Sequence, residues 1–353
     1  MQVQPCIEED EISEVNMRIA VDAMGGDNAP DCVVDAVVEV INNTDAGIIL
    51  CGKESLLREK LSGRKYDENR LEIVDCDDVI SDHDEPVRAV KQKKTASMVV
   101  CARLLAEGRA DAMLSAGNTG ALLASGLLIV GRIKGVMRPA LATLLPTAKG
   151  GKLLIDAGAN TNCKPQVLAQ FGVMGSLYMK KLMGIENPGV GLIANGAEEE
   201  KGTALVKDAH MLLKEADLNF IGNIEGRDIM EGVADVMVTD GFTGNVILKT
   251  IEGMGAVINR NIKAIFKGNI INMLGALCVF GGLKRFKKSM DYREYGGAPI
   301  LGLKKLVVKG HGSSDKKAIL KALMLIVNSE LSDVTDEISA AIDNMKELNE
   351  VEE

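Results

Sequence analysis

Three short turns carry the residues best suited to chemistry: SAGNTG at 115–120, DGFTGN at 240–245 and HGSSD at 311–315. Each joins small residues to a hydroxyl or an amide and runs into a helical stretch. The first amide hydrogens of a helix lack partners inside it, and the helix dipole favours an anion there. Glycine lets a ligand approach the backbone closely. Turns of this kind cradle phosphate or a developing oxyanion. Asn, Ser, Thr and Asp are also ordinary helix caps, so capping alone accounts for any one of the three. Several such turns at strand ends of one sheet point further, to a shared crevice.

Two lysines stand in comparable places. Lys201 follows Glu198, Glu199 and Glu200 and precedes Gly202 at a helix start; Lys164 immediately precedes Pro165. A lysine there can neutralise phosphate or polarise a carbonyl. Pairing with neighbouring acids explains Lys201 equally well. Cys163 has no histidine near it in sequence and fits a packing role better than a nucleophilic one. The sequence lacks G-x-G-x-x-G, G-x-x-x-x-G-K-[ST] and G-x-S-x-G. A phosphate site without these motifs suits a small phosphate compound or free phosphate.

The turns require a scaffold in which strands deliver them. Apolar runs at 18–22, 47–50, 71–74, 111–114, 141–145, 152–155, 190–193, 219–222, 236–238 and 306–308 read as strands. Helical patterns at 96–107, 118–133, 165–183 and 203–215 alternate with them, and Pro165 suits a first helical turn. This alternation predicts an α/β fold with a mostly parallel sheet covered on both faces.

Composition narrows the function classes. The 353 residues are 46% hydrophobic, enough for a sizeable core. Tryptophan is absent, aromatics total 3%, and the formal net charge is −9, which together argue against nucleic acid as a partner. Seven scattered cysteines without C-x-x-C, and three histidines, make a zinc site unexpected. An odd cysteine count suits reduced thiols in a cytoplasm. Residues 1–16 hold five acids and no Lys or Arg, and read as a disordered extension. Residues 17–353 are expected to form a single α/β catalytic domain.

One segment stands apart. Residues 253–290 contain no Asp or Glu but carry seven basic residues around an apolar centre at 273–280. A basic amphipathic helical pair protruding from the domain is expected here, with Leu277, Phe280, Lys284, Arg285, Lys287 and Lys288 at its contact surface. Anionic lipid, an acidic carrier protein and a dimer core are the three occupants that fit.

Seven motifs in fixed order carry a resemblance: MRIAVDAMGGDNAP at 17–30, SAGNTGALLASG at 115–126, IDAGANTNCKP at 155–165, FIGNIEGRDI at 220–229, VTDGFTGNVILK at 238–249, YGGAPILG at 295–302 and KGHGSSD at 309–315. The chain resembles the bacterial phosphate acyltransferases of phospholipid synthesis. The resemblance implies a Rossmann-like three-layer α/β/α fold, a homodimer and no organic cofactor. It implies transfer of a fatty acyl group from acyl carrier protein to inorganic phosphate. The acyl phosphate would serve a membrane glycerol-3-phosphate acyltransferase, and the enzyme would sit peripherally on the inner face of the cell membrane. Lys201 and Asn245 are then the catalytic candidates. Asp22, Gly25, Gly26, Asn118, Thr119, Lys164, His311 and Ser313 are candidates for binding phosphate or substrate. A phosphotransacetylase-like enzyme using acyl-coenzyme A and a non-catalytic membrane scaffold are the competing readings; a dehydrogenase lacks its dinucleotide fingerprint.

Overall fold

The computed structural model describes residues 17–268, 272, 275, 279–285, 296–328 and 331–350. The acidic stretch 1–16 lies outside them, as do Leu277, Lys287 and Lys288 of the basic segment.

The chain begins with β1 (Arg18–Asp22), α1 (Asp31–Asn43), β2 (Gly47–Gly52), α2 (Glu54–Leu61), β3 (Leu71–Asp75), α3 (Pro86–Gln92), α4 (Ser97–Ala106), β4 (Ala112–Ser115) and α5 (Thr119–Ser125). It continues through β5 (Ala140–Thr147), β6 (Gly150–Ile155), α6 (Pro165–Met183), β7 (Val190–Ile193), α7 (Ala204–Glu215), β8 (Phe220–Ile224), α8 (Asp228–Glu231) and β9 (Val236–Val238). The long α9 (Gly241–Lys267) follows, then β10 (Ala298–Leu301), β11 (Leu306–Lys309), α10 (Lys316–Val327) and α11 (Leu331–Glu350).

The eleven strands of the described residues join one sheet, in the order β3-β2-β1-β4-β11-β10-β5-β6-β9-β7-β8. Two parallel blocks, β3-β2-β1-β4-β11 and β6-β9-β7-β8, flank β10 and β5. The contacts β11–β10, β10–β5 and β5–β6 are antiparallel, so the second block runs opposite to the first. The alternation of helix and strand foretells the parallel blocks. It does not foretell β10, whose four residues hold a proline and are too few to show a period, nor α1, α2 and α3.

Side chains along the strands sort by the two-residue period of a pleated strand. Ile19, Val21, Ile48 and Leu50 pack with Val33, Val37 and Ile41 of α1 and Ile319 and Leu323 of α10. Their neighbours Ala20, Ile49 and Cys51 pack with Val99 and Leu105 of α4 on the other face. In the second block, Leu153 and Ile155 share a core cluster with α6, on which α7 and α11 pack, while Leu154 lies opposite, against the cluster that Leu248 and Ile251 of α9 cover. The result is three layers, and every residue of β2 is buried. Each fully buried aliphatic side chain contributes roughly 1.5–3 kcal/mol.

The helix expected over 118–133 is shorter. It leaves α geometry after Ser125, makes a π turn over Gly126–Val130, and stops at Gly131, whose φ is +87°. Close packing against β10's exit loop sets this place, since a Cβ on Gly126 would stand 2.6 Å from Leu303 Cδ1.

Close packing also governs α6. A Cβ on Gly175 would lie 2.6 Å from Val236 Cγ1 and 3.4 Å from Ile155 Cγ2. Gly175→Val is expected to destabilise the fold by about 1–3 kcal/mol, the usual cost of overpacking. Urea unfolding should show a lower midpoint with an unchanged slope.

Candidate functional site

Strand β1 ends in Asp22, which is 3% exposed. Its Oδ1 accepts from Ser97 Oγ at 2.6 Å and from the Met24 amide at 3.2 Å; its Oδ2 accepts from Ser115 Oγ at 2.6 Å. Burial pushes the carboxyl up, against the opposing hydrogen bonds of Ser115, Ser97 and the backbone of Met24 and Gly25. The loop above it folds so tightly that a Cβ on Gly25 would meet Asp22 Oδ2 at 2.5 Å and the Gly117 amide at 2.7 Å. Gly26, with φ of +100°, lies against the Gly312 carbonyl. The Asp27 amide donates to that carbonyl at 2.8 Å, and the Asn28 side chain donates to Ser314 O at 3.1 Å. The loops leaving β1, β4 and β11 are thus tied to one another.

Strand β6 repeats the device. Asp156 follows it and is fully buried. Its Oδ1 accepts from the amides of Leu141 (3.1 Å), Gly158 (3.1 Å) and Ala159 (2.9 Å). Its Oδ2 accepts from the amide and Nδ2 of Asn160 at 2.6 and 2.9 Å. Burial pushes this carboxyl up as well, opposed by Ala159, Asn160 and Gly158. The folded loop receives the first turn of α9: the Gly241 amide donates to Asn160 O at 2.7 Å, and a Cβ on Gly244 would stand 1.9 Å from Asp156 O. Only glycine permits that contact, and it sets Asn245 beside Gly158.

The two sets of loops face one cavity of about 580 Å³. Gly25, Gly26, Asn118, Thr119, His311 and Ser313 line it from the first block, and Gly158 and Asn245 from the second. Val79, Ile80, Leu141, Leu144 and Leu248 supply an apolar part of the wall. Capping and lining coexist in the turns. Asn118 Oδ1 accepts from the Ala121 amide, Asp240 Oδ1 from Thr243 and Asp315 Oδ1 from Ala318, each at 2.9 Å.

Asp22 sits beneath the loops rather than among the lining residues. Lys201 and Lys164 do not line the cavity either. Lys201 is exposed on the turn before α7, its stem folded against Gly196, and Lys164 is exposed at the start of α6. Cys163 is half-buried and donates to Asn160 O at 3.6 Å; burial first, then Asp156 and Asp240, push its thiol up to about 11. That is the opposite of an activated nucleophile.

Four participants escape the sequence reading. Asp156 is foreshadowed by IDAGAN, which echoes VDAMGG at β1. Lys249 and Glu252 lie four and seven residues beyond Asn245, on one helical face, and both line the cavity. Glu252 Oε1 stands 3.7 Å from His311 Nε2, and Nδ1 of that ring contacts Ser313 Oγ at 2.9 Å. Burial pushes Glu252 up, but His311 and Lys249 outweigh it and hold the carboxyl below its usual value. The fourth is Lys309, the last residue of β11, which is 8% exposed and lines the cavity.

Residues 17–335 match the family described as fatty acid synthesis protein. The phosphate acyltransferase of Alkaliphilus oremlandii is 50% identical over 329 residues, covering 93% of this chain and 98% of that protein. That of Thermoanaerobacter pseudethanolicus is 51% identical over 330 residues, with the same coverage of 93% and 98%.

The chain belongs to the phosphate acyltransferase family.

Its members are acyltransferases, and the protein is an enzyme of that kind. A phosphotransacetylase from Streptococcus pyogenes shares the fold, with a TM-score of 0.60 at 16% identity over 93% of this chain and 94% of that one. A branched-chain phosphotransacylase from Enterococcus faecalis does so with a TM-score of 0.54 at 16% identity, covering 88% and 98%. The Rossmann-like α/β architecture is common to all three.

The Asp156 network yields a direct test. In Asp156→Asn, an amide group replaces one carboxylate oxygen and confronts backbone N–H donors with another donor. Each buried donor left unsatisfied costs about 1–3 kcal/mol. The variant should melt well below the parent and lose acyltransferase activity, because Asn245 loses its seat; calorimetry and a turnover assay read the two effects.

Proposed function

We propose that the protein transfers a fatty acyl group from acyl carrier protein to inorganic phosphate, giving acyl phosphate for phospholipid synthesis. The observation that carries this reading is a single cavity that joins glycine-rich loops and helix N-termini to an apolar wall. The loops suit an oxyanion and the wall suits an alkyl chain. A phosphate oxygen attacks the thioester carbonyl carbon, the carbon–sulfur bond breaks, and the carrier thiolate leaves and takes up a proton. Holding phosphate in line with the carbon supplies much of the rate. Asn245 donates its side-chain amide to the carbonyl oxygen as charge develops there. The thiolate is a good leaving group, so the reaction proceeds without an acyl-enzyme and without a cofactor. Gly25, Gly26, Asn118, Thr119, His311 and Ser313 form the binding rim, with Asp22 holding the first loop.

Lys201 is assigned to the same reaction on the resemblance of its EEEKG turn, although it stands outside the cavity lining. Lys164 is a weaker assignment on the same ground. Asn245→Ala and Lys201→Ala are each expected to lower turnover about a hundredfold with the fold intact, as for loss of an oxyanion donor. Hydroxylamine trapping of acyl phosphate reads the rate, with carrier-linked and coenzyme A-linked donors compared. A preference for coenzyme A would favour the phosphotransacetylase-like alternative. No acyl phosphate from either donor would favour a scaffold.

The same reading places the enzyme at the inner face of the membrane as a peripheral homodimer, close to the acyltransferase that consumes its product. Among the described residues no helix is long and apolar enough to cross a membrane. Phe242, Val246, Met254 and Ile265 of α9 are exposed, as is Phe280 beyond it. Lys284 and Arg285 are exposed beside Phe280, where they can meet anionic headgroups. Phe280→Glu is expected to release the protein from anionic vesicles while turnover on a soluble donor survives. Co-sedimentation checks it, and a dimer that dissociates instead would point to a dimer core.

A further inference from the structure

The cavity has two lysines in its lining, and they differ in kind. Lys249 is exposed and pairs with Glu252 at 2.9 Å. Lys309 is 8% exposed and has no ion-pair partner among the described residues. Its ammonium donates to the carbonyl of Ala116 at 3.2 Å and to that of Gly310. An ammonium has three hydrogens to donate, so these two carbonyls leave one unassigned. The two carbonyls belong to the loops leaving β4 and β11, and they fix the amino group where those loops meet the cavity. Gly26, Gly117 and Gly312 stand around the same junction, and a Cβ on Gly310 would touch Ala116.

Burying a cation without a counter-ion costs several kcal/mol in a folded protein. Three carboxylates act on Lys309 from a distance, Asp82, Asp22 and Asp27, and none forms an ion pair with it among the described residues; Asp22 already accepts from Ser97 and Ser115 and is itself pushed towards its neutral form, while Asp82 and Asp27 line the cavity. A purely structural bridge between two carbonyls would be served by a neutral donor. A cation held there, facing a cavity rimmed by glycine loops, is matched by an anion that enters from solvent.

We propose that Lys309 is the cation of an oxyanion subsite at the junction of the β1, β4 and β11 loops, and that the oxyanion is inorganic phosphate. The identity of the phosphate as the attacking reactant rests on the functional reading above; the existence of the subsite does not. Lys309 would hold the phosphate against the first block, while Asn245, carried by the second, would meet the thioester carbonyl. The two reactants are then delivered by different halves of the sheet.

Burial pushes the Lys309 ammonium down to about 8, with Asp82, Asp22 and Asp27 acting upward and Lys249 downward. Glu252 and His311 also line this cavity, paired with each other at 3.7 Å. The Lys309 ammonium is charged below about pH 8 and loses its proton above it. Inorganic phosphate is already the dianion in that upper range, so its binding should weaken as the pH rises.

The test measures binding of inorganic phosphate alone, by equilibrium dialysis with labelled phosphate and by the phosphate-induced rise in melting temperature. Wild type, Lys309→Met and Lys249→Met are compared at pH 7, and wild type is followed from pH 7 to 10. Lys309→Met keeps the apolar stem and should lose at least roughly tenfold in affinity, with Lys249→Met affected less. In turnover assays the loss should fall on KM for phosphate rather than KM for the thioester. For wild type, affinity should drop about tenfold per pH unit above the break. A folded Lys309→Met protein that binds phosphate as wild type does would overturn the assignment. So would a wild-type affinity that stays flat through pH 10, a result that needs no variant to fold. If wild type forms no acyl phosphate yet binds phosphate through Lys309, the functional reading fails and the subsite stands.

Discussion

A carboxylate buried at the end of a parallel strand, acting as the acceptor around which the next loop closes, is the constraint on which this molecule depends. It occurs at Asp22 and again at Asp156. A buried carboxylate without donors would be prohibitively costly, and a glycine-rich loop without an anchor would have too much conformational freedom to stay closed. Each offsets the other. The loop spends its amides on the carboxylate, and the carboxylate converts a flexible segment into a rigid rim. Ser97 and Ser115 extend the first network into α4 and β4; Leu141 and Asn160 extend the second into β5 and the loop before α6.

Those anchors explain why the cavity lies where it does. The antiparallel contacts through β10 and β5 reverse the second block relative to the first, and a rim from each block borders the space beside β5. The site is therefore composite. One half offers loops stitched by Asp27, Asn28 and Gly310; the other offers the first turns of α9, seated on the Asp156 loop by Gly241 and Gly244. Because α9 runs on for 27 residues as one helix, its cavity face and its exposed apolar residues belong to one rigid element.

Much of this was legible in the residues. The strands at 190–193 and 236–238 and the helix at 165–183 stand where the sequence reading put them, because apolar runs bounded by Gly, Asp and Pro leave little choice. Gly25, Gly26, Asn118, Thr119, Asn245, His311 and Ser313 do gather in one place. What stayed hidden depended on long-range packing. The chain order says nothing of β10 inserting between β11 and β5. Asp22 is a candidate ligand by its place in the sequence, but its oxygens are taken by Ser97, Ser115 and the Met24 amide. Nothing in the chain order marks Lys309, which follows the apolar run at 306–308 and is buried only because the loops beside it meet there. Lys201 and Lys164 sit in turns of similar composition, on parts of the sheet edge that this cavity does not reach.

The proposed function turns on phosphate binding in the composite cavity, between the loops of the first block and the Asn245 end of α9. A crystal structure of the protein with bound inorganic phosphate and a non-reactive acyl-thioester analogue tests it most directly. Phosphate is expected within hydrogen-bonding distance of the Lys309 ammonium, and the analogue's carbonyl at the Asn245 amide with its chain along Ile80 and Leu248. Phosphate and carbonyl both found at the Lys201 turn, with the composite cavity empty, would contradict it.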